Sequence, residues 1–534
     1  MPLELGQATA SLDAGDAPSA VSLLRRSSDA SAGEARLDED AAHDLFLDQV
    51  IDRLARGRLN QRARELFAQP LADPDAIAYR QEVFRDLQAT EALEALTRFS
   101  DGMQSVRSRL AGIPGLRYAQ EREHWQLQAV RRYVEAVAAF SADLGHLALR
   151  SRALTAARDE LGRYVDSAEF RTLAKDVDGA RAKLAAVRYK LRILGGAVQV
   201  SRVVESETDY TEDVLATFAR FREHEAKSYL FRIQDEGSMN HVEAAIAGYV
   251  ARLHPDEFAA LHDFCERHLQ FLDPLVAALH RDAQFYLGYL DLVRELGPLG
   301  VEFCLPEVST EGTLAIERGV DLALALNALG SNTRARLVPN DCRLAADERL
   351  LVVTGPNQGG KTTYARMLGQ IHHLAMLGVP VPAASARVPM TDQIRTLFER
   401  GENLADLRGH LYDDLVRAHA ILRSARPQSL VILNEVFSST SLEDALLLGR
   451  EVLLVLEASG SRSVCVTFFD ELAELTPDTV SAVASVEADD PTRRTFEIVR
   501  RPADGRAYAS ALAEKYRVDY EAITKRLDGR RTDR

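Results

Sequence analysis

Apolar residues along the first half of the chain recur every three or four positions, as they do on one face of an α-helix. One such series consists of Phe258, Leu261, Cys265, Leu269 and Leu272. Comparable series predict the helices Ala41–Arg56, Trp125–Arg152, Ser167–Leu194, Thr211–His224, His241–Leu253 and Pro255–Leu296. The pattern favours an all-α region of long packed helices, with some helices projecting as levers.

The pattern changes near residue 299, where short β-type runs alternate with helical segments. The predicted strands are Phe303–Pro306, Thr313–Ile316, Ala335–Asp341, Ser429–Leu433, Ser463–Phe468 and Arg494–Val499. The predicted helices are Thr363–Leu377, Leu404–Ser424, Leu442–Ser459 and Ala507–Leu527. Such alternation predicts a mostly parallel sheet covered by helices, so the fold class is α + α/β. We predict a flexible leader at residues 1–35, an all-helical domain at 36–298 and an α/β domain at 299–534.

Composition is that of an ordinary globular protein. Of 534 residues, 46% are hydrophobic and 27% are charged, which argues against wholesale disorder. No apolar run approaches a membrane span, no signal peptide is visible, and the four cysteines are scattered, so a cytoplasmic protein without membrane contact is expected. The net charge of −15 argues mildly against extensive binding of nucleic acid over the protein surface. Local contacts of basic residues with phosphates stay open.

The richest motif is a glycine loop between a predicted strand and a predicted helix. From residue 350 the sequence is LLVVTGPNQGGKTT, which fits the phosphate-loop pattern G-x-x-x-x-G-K-[ST]. Gly355, Gly359 and Gly360 let backbone N–H groups approach phosphates, and the helix N-terminus adds positive partial charge. Lys361 can reach the β- and γ-phosphates, and Thr362 can ligate Mg²⁺. The alternative is a glycine turn that matches by accident. We predict a P-loop NTPase domain that binds a nucleoside triphosphate.

A triphosphatase also needs carboxylates near Mg²⁺ and the attacking water. The apolar run Ser429–Leu433 is followed by Asn434 and Glu435, where Asp-Glu is usual. Glu435 is therefore the candidate catalytic carboxylate. The alternative is an ordinary carboxylate at the end of a strand.

These motifs together resemble the ATPase module of the MutS group of DNA mismatch-repair proteins. The similar segments are Val338–Asp341, Thr354–Tyr364 with its Asn357, Asn434–Asp444, Val466–Leu472 and Asp504–Ser510. Gln69–Val83 is similar to the start of that family's helical core and lever region, and Leu305–Glu307 to its join with the ATPase. The resemblance covers roughly residues 40–530, specifically in the ATPase motifs and only suggestively in the helices.

The resemblance implies an ABC-like ATPase with ATP and Mg²⁺ as cofactors. The implied nucleotide contacts are Gly355, Pro356, Asn357, Gln358, Gly359, Gly360, Lys361, Thr362, Thr363 and Asn434. Thr362 would ligate Mg²⁺, with Asn434 and Glu435 acting through water, and Glu435 would orient the attacking water. Leu337 or Val338 would lie against the base, and Ser441 would face the nucleotide of the opposite subunit in a homodimer. Tyr508 is either part of this region or a core residue.

Three departures from the family pattern predict slow hydrolysis. Asn434 replaces an aspartate, so a neutral amide would face the metal's water shell. Phe468 stands where a histidine is usual, and Asp406–His410 replaces a Ser/Thr-rich loop, keeping only Arg408. Residues 1–35, ahead of the helices, also contain no Phe-x-Glu element like that of the family's mismatch reader, a large N-terminal domain with an aromatic wedge. Recognition of structured rather than simply mismatched DNA is therefore expected.

Three functions remain open at this point. The first is an ATP-dependent DNA-binding protein related to mismatch repair, acting as a dimer with a possible repair partner. The second is a nucleotide-gated protein scaffold that has lost DNA recognition, which the acidic balance favours. The third is a transporter-type ATPase, which the lack of membrane segments and of an LSGGQ-type signature disfavours.

Overall fold

The computed structural model describes residues 21–26, 36–58, 62–194, 197–203, 239–330, 337–399, 410–487, 489–490 and 493–503. Helices occupy the N-terminal part and sheets the C-terminal part, as the sequence predicts. The chain packs into two compact units. One comprises residues 1–22, 89–149 and 154–281, and the other comprises 23–88, 150–153 and 282–534. The domain boundaries predicted at residues 35 and 298 stay predictions.

The helices are α1 (Glu39–Asp44), α2 (Leu47–Ala55), α3 (Arg62–Phe67), α4 (Pro74–Asp86), α5 (Thr90–Gly112), α6 (Ala119–His146), α7 (Arg152–Asp166), α8 (Ala168–Ala186), α9 (His241–Leu253), α10 (Pro255–Arg267), α11 (Pro274–Leu296), α12 (Leu322–Gly330), α13 (Lys361–Met376), α14 (His410–Ser424) and α15 (Leu442–Ala458). The strands are β1 (Tyr189–Leu194), β2 (Ala197–Arg202), β3 (Glu307–Ser309), β4 (Leu314–Gly319), β5 (Asn340–Leu344), β6 (Leu350–Thr354), β7 (Ser385–Pro389), β8 (Ile394–Phe398), β9 (Leu430–Asn434), β10 (Arg462–Val466), β11 (Thr479–Val486) and β12 (Arg494–Arg500).

The first unit is built on a close pair of long helices, α5 and α6. A Cβ added at Gly102 would lie 2.8 Å from the Cβ of Ala136, so the two backbones approach closely at that point. Phe99 and Phe140 stack beside it with ring centroids 4.3 Å apart. Small residues and stacked rings therefore set the distance between these helices.

A strand pair within this unit overturns the prediction of an all-helical region. The predicted helix Ser167–Leu194 is wrong in its last part, since α8 ends at Ala186 and β1 pairs antiparallel with β2. The reason is visible in the sequence. Apolar and charged residues alternate from Tyr189 to Ile193, two glycines follow, and valines alternate again, which is a hairpin signal.

Two other predicted helices are each divided. Ala41–Arg56 is α1 and α2, because Phe46 between them has a left-handed backbone with φ of 54°. Pro255–Leu296 is α10 and α11, with the second helix beginning at Pro274. The predicted helices Thr211–His224 and Ala507–Leu527 lie outside the described residues.

The second unit contains a six-stranded sheet in the order β12-β11-β6-β10-β9-β8. All neighbouring pairs are parallel except β11 and β12. Every residue of β6, β9 and β10 is buried, so these strands are the apolar runs expected of a parallel sheet covered on both faces. The mostly parallel arrangement predicted from the alternation is therefore present in this sheet.

A four-stranded sheet of order β3-β7-β4-β5 accompanies it. The strand predicted at Phe303–Pro306 is wrong, since β3 begins at Glu307 and only an isolated bridge at Cys304 lies in the predicted range. The sequence analysis also missed β7, β8 and β11. β7 ends in a proline, which is rare within strands, and β8 and β11 interrupt their apolar residues with Arg, Thr or Ser, so neither is a continuous apolar run.

Helix α13 packs against the larger sheet and against the segment that precedes α2. A Cβ at Gly369 would lie 2.6 Å from Leu45 and 2.9 Å from Ile432 of β9. Gln370 donates a hydrogen bond of 2.9 Å to the carbonyl of Leu45. Leu45, between α1 and α2, thus belongs to the core that positions α13.

Candidate functional site

The candidate site lies where β6 ends and α13 begins, at the carboxyl edge of the larger sheet. Between them run residues 355–360, in which Gly355 has φ of 114° and Gly360 has φ of 91°. A Cβ at Gly355 would lie 3.0 Å from backbone atoms of Ala484 on β11. Glycine is therefore needed here both for the backbone conformation and for the close approach of the neighbouring strand.

Lys361 is the first residue of α13 and is 3% exposed. Its Nζ donates hydrogen bonds to the carbonyls of Gly355 (3.0 Å) and Pro356 (3.2 Å) and lies 4.0 Å from Oε1 of Glu435. Burial lowers the pKa of Lys361 to about 8, while the charge of Glu435 opposes this shift and that of Arg494 adds to it. The ammonium group is thus held inside the loop, at the position of the predicted phosphate site.

Two oxygen ligands suitable for Mg²⁺ meet beside the lysine. The hydroxyl of Thr362 donates a hydrogen bond of 2.8 Å to Oδ1 of Asn434, which is the last residue of β9 and is buried. Hydroxyl and amide oxygens are among the hard ligands that Mg²⁺ accepts. In the described part of the chain, no group of three His, Cys, Asp or Glu side chains could hold a metal by itself.

Glu435 follows Asn434 in an unusual backbone conformation. Its φ is 53°, and its N–H donates a hydrogen bond of 2.9 Å to the carbonyl of Val466. Burial raises the pKa of the Glu435 carboxyl, the nearby Lys361 lowers it, and Glu399 raises it further. A strained backbone together with a raised carboxyl pKa is a combination found at functional positions.

A cavity of about 370 Å³ opens over the loop. The predicted residues that line it are Val338, Gln358, Gly359, Gly360, Lys361, Thr362, Thr363 and Glu435. Gly355, Pro356 and Asn434 do not line the cavity but accept hydrogen bonds from Lys361 or Thr362, which do. Neither Leu337 nor Asn357 is among the lining residues. The carbonyl of Asn357 accepts a hydrogen bond of 3.1 Å from Nε of Arg494.

Three lining residues were not singled out as site residues: Leu324, Asn340 and Phe496. Asn340 bridges two elements, donating to the carbonyl of Phe496 (3.1 Å) and accepting from the N–H of Ile498 (2.7 Å). Asn340 lies in the segment Val338–Asp341 that carries the family resemblance, so a signal existed for it. Phe496 lies on the antiparallel edge strand β12, with φ of 64°, and no sequence motif marks it.

Ser441 is not among the residues that line the cavity. It is the N-cap of α15, where its hydroxyl accepts from the N–H of Asp444 (3.2 Å) and donates to that residue's carboxylate (2.8 Å). The contact of Ser441 with the nucleotide of an opposite subunit therefore stays a prediction. Tyr508 and Arg408 lie outside the described residues.

Phe468, for which the sequence resemblance predicts a histidine, lies against the lysine. The Nζ of Lys361 is 4.3 Å from the centroid of the Phe468 ring, and the phenylalanine is 45% exposed. This is a cation–π contact with the central cation of the site. The ring supplies no proton donor, in contrast to an imidazole.

The described chain is thus a mixed helix-and-sheet protein with a buried lysine in a glycine loop at the carboxyl edge of a parallel sheet. Within the described residues, no helix is long and apolar enough to cross a membrane. Residues 351–514 match the family model of MutS domain V. Over these residues the chain is similar to the MutS family.

Three curated relatives share this similarity, each named "DNA mismatch repair protein MutS". That of Granulibacter bethesdensis is 33% identical over 217 residues, which is 40% of this chain and 23% of that protein. That of Erythrobacter litoralis is 35% identical over 237 residues, 43% of this chain and 26% of that protein. That of Syntrophomonas wolfei is 28% identical over 322 residues, 57% of this chain and 35% of that protein. The matched part therefore spans about a quarter to a third of the relatives' length.

Proposed function

We propose that this chain is a P-loop ATPase that binds DNA in an ATP-dependent manner in a process related to mismatch repair. The observation that carries the proposal is Lys361, buried at the start of α13 with its amine on the carbonyls of Gly355 and Pro356 and 4.0 Å from Glu435. Burying the ammonium group of Lys361 costs free energy, which the two carbonyls and the carboxylate of Glu435 offset only in part. Anionic oxygens bound in the loop would offset the rest.

The loop fits a triphosphate. Gly355 and Gly360 have left-handed backbones, and the N-terminus of α13 follows immediately. Backbone N–H groups, the helix dipole and Lys361 together form an anion-binding site. We assign the phosphates to residues 355–363 and the base to the side of the cavity lined by Val338.

The chain's own residues define the remaining roles. Thr362 would ligate Mg²⁺, and Asn434 and Glu435 would contact the ion through water. Mg²⁺ would neutralise charge that develops on the phosphate oxygens. Glu435 would orient the attacking water, and burial favours its role as a base because it raises the pKa of the carboxyl. Slow turnover is expected because Asn434 brings no negative charge to the metal and Phe468 brings no proton donor.

The assembly we propose is a homodimer with two composite sites, in which Ser441 of each copy completes the site of the other. The proposed DNA ligand is structured DNA, with possible repair proteins as partners. The similarity to proteins named for DNA mismatch repair supports this assignment, although the matched part covers only a fraction of them.

A second candidate is a nucleotide-gated protein scaffold that no longer binds DNA. The net charge of −15 favours it, because binding to DNA gains its affinity largely from basic residues near phosphates. Both candidates share the nucleotide site and differ in the response to DNA.

The experiment has two stages. Binding of a fluorescent nonhydrolysable ATP analogue is measured for the wild type, for Lys361→Ala and for Lys183→Ala, an exposed lysine on α8 that serves as the control. Only Lys361→Ala is expected to abolish binding. Retained affinity in that variant would show that the site is assigned wrongly.

In the second stage, binding to homoduplex, mismatched and branched DNA is measured at two salt concentrations with and without ATP. The first candidate predicts binding that weakens as salt rises and that depends on ATP. If no DNA is bound in any nucleotide state, the first candidate is eliminated and the scaffold is retained.

A further inference from the structure

A second cavity, which we call the amino-edge cavity, lies at the opposite edge of the larger sheet from the nucleotide loop. Its volume is about 160 Å³. Arg349 precedes β6, Leu430 begins β9 and Arg462 begins β10, and all three residues line it. The three strands each have five residues, so the cavity is separated from the nucleotide loop by about 16 Å of strand. It is therefore a distinct site.

Two guanidinium groups line this cavity without a carboxylate partner among the described residues. Arg462 is 4% exposed and donates only to backbone carbonyls, those of Glu348 (3.3 Å) and Gly312. Arg349 makes one long hydrogen bond, 3.4 Å, to the carbonyl of Pro427. A buried cation is expensive unless it is paired with an anion.

The pKa of Arg462 also indicates that its charge is unfavourable in the cavity. Burial lowers the pKa of Arg462 to about 10, the charge of Arg349 lowers it further, and Cys342 and Glu348 raise it. The two cations therefore repel each other across the cavity, and an anion between them would relieve the repulsion.

His372 adds a buried acceptor to the same cavity. It lies on α13, is fully buried and lines the cavity. Its Nδ1 lies 2.7 Å from the carbonyl of Leu368, so Nδ1 carries the proton and donates, while Nε2 has no hydrogen-bond partner. Burial lowers the pKa of His372 to about 4, so at neutral pH Nε2 is an unpaired acceptor.

The other polar groups of the cavity do not pair with Arg349, Arg462 or Nε2 of His372. The hydroxyl of Ser429 donates to Asp392, and that of Thr391 donates to the carbonyl of Pro389. Glu311 also lines the cavity and opposes an anion, but it is exposed to solvent, which screens its charge. In the described part of the chain, Arg349 and Arg462 thus bond only to backbone carbonyls, and Nε2 of His372 bonds to nothing.

We propose that the amino-edge cavity binds a small oxyanion of the phosphate class that keeps a proton, held by Arg349 and Arg462 and donating a hydrogen bond to His372. The two arginines select for negative charge and planar or tetrahedral oxygens. The histidine selects for an anion with an O–H group, which phosphate has at neutral pH and sulfate does not.

The test is equilibrium dialysis of the full-length chain against radiolabelled inorganic phosphate. The chain carries Lys361→Ala, so that the nucleotide loop does not contribute. We expect saturable binding of one phosphate per chain with Kd of about 1 mM or lower. Sulfate and a phosphomonoester are tested as competitors. Weaker competition by sulfate than by unlabelled phosphate supports the role of His372, and the phosphomonoester shows whether the site takes free phosphate or a phosphorylated group.

Arg349→Gln is the informative variant, because this residue is only partly buried and its one hydrogen bond is weak. We expect affinity to fall about tenfold, as for the loss of one charge-assisted hydrogen bond. Arg426→Gln is the matched control, since Arg426 is 74% exposed, lies 4.0 Å from Asp392 and does not line the cavity. The proposal is overturned if no saturable binding occurs, if both variants bind phosphate as their parent does, or if sulfate competes equally well.

Discussion

At the scale of single residues, Lys361 is the group whose ionisation is expected to control nucleotide affinity. Its pKa is lowered to about 8 by burial, and phosphate oxygens would stabilise the charged form and raise it again. Binding therefore takes up a proton above pH 8. We expect a Kd for an ATP analogue that is nearly constant between pH 7 and 8 and that rises above pH 8, by up to about tenfold per pH unit.

This pH profile is measured by titration from pH 7 to 9.5. Lys361→Arg is the control, because arginine stays protonated over the whole range. Its affinity is expected to be lower but independent of pH. A wild-type Kd that does not change up to pH 9.5 would contradict a lysine pKa near 8.

Asn434 is the residue expected to limit hydrolysis. Its Oδ1 accepts the hydrogen bond of Thr362 at 2.8 Å, and aspartate could accept the same bond while adding a negative charge beside the metal. We expect Asn434→Asp to lower the Mg²⁺ concentration needed for half-maximal ATP hydrolysis by about tenfold or more, and to raise the turnover rate.

A magnesium titration of steady-state hydrolysis checks this expectation. Asn434→Asp combined with Glu435→Gln is the control, since it keeps the added charge and removes the proposed base. An unchanged magnesium requirement in Asn434→Asp would mean that residue 434 does not face the metal.

The sequence predicts those residues of the site that lie close together in the chain. Gly355, Gly360, Lys361 and Thr362 are adjacent in the chain, so their motif is visible without the fold. Phe496 enters the same cavity from an edge strand more than 130 residues away, and only the pairing of β11 with β12 brings it there. No local pattern could have revealed it.

At the scale of elements, the packing of α13 on the larger sheet holds the loop in place. A Cβ at Gly369 would lie within 3 Å of Leu45 and Ile432, both of which are buried. We expect Gly369→Ala to destabilise the protein by about 1–3 kcal/mol, because overpacking displaces neighbouring side chains.

Gly179→Ala is the matched control for this prediction. Gly179 lies within α8, and a Cβ there would meet nothing within 4 Å. Its replacement is expected to stabilise the helix by about 0.5–1 kcal/mol. Urea unfolding measures both, and a Gly369→Ala protein at least as stable as the wild type would show that α13 can shift away from β9.

The predictability of each element follows from its environment. β6, β9 and β10 are buried on both faces and consist of apolar runs, so their sequences alone indicate strands. In β11, Ala484 approaches Gly355 and Gly359, so a small residue is needed at that position, and alanine carries little strand propensity. The same close approach that shapes the loop therefore weakens the strand signal at Ala484.

At the scale of the whole molecule, the order of helices before sheets is visible in the sequence, whereas the packing units are not. Helices α1 to α4 precede every strand of the larger sheet in the chain, yet they pack in one unit with the sheets. Thr396 of β8 donates a hydrogen bond of 2.7 Å to Asp44, and Arg80 donates one of 3.0 Å to the carbonyl of Leu377. These contacts join residues about 300 positions apart, beyond the reach of any periodicity.

The proposed dimer makes its own prediction, because Lys361 and Ser441 would complete one site from two copies of the chain. Ser441→Asp preserves an N-cap acceptor for α15 and puts a negative charge next to the phosphates of the other copy. We expect Lys361→Ala and Ser441→Asp each to abolish hydrolysis alone. After mixing and exchange, half of the dimers are heterodimers, and each heterodimer has one intact site. About a quarter of wild-type activity should therefore return.

Ser441→Asn is the control, since asparagine also caps helices well and adds no charge. It is expected to keep more activity than Ser441→Asp. A mixture of Lys361→Ala and Ser441→Asp that stays inactive while subunit exchange is demonstrated would place Ser441 outside the site. Activity of Ser441→Asp alone at the wild-type level would do the same, and hydrolysis would then depend on Lys361, Thr362 and Glu435 within a single copy.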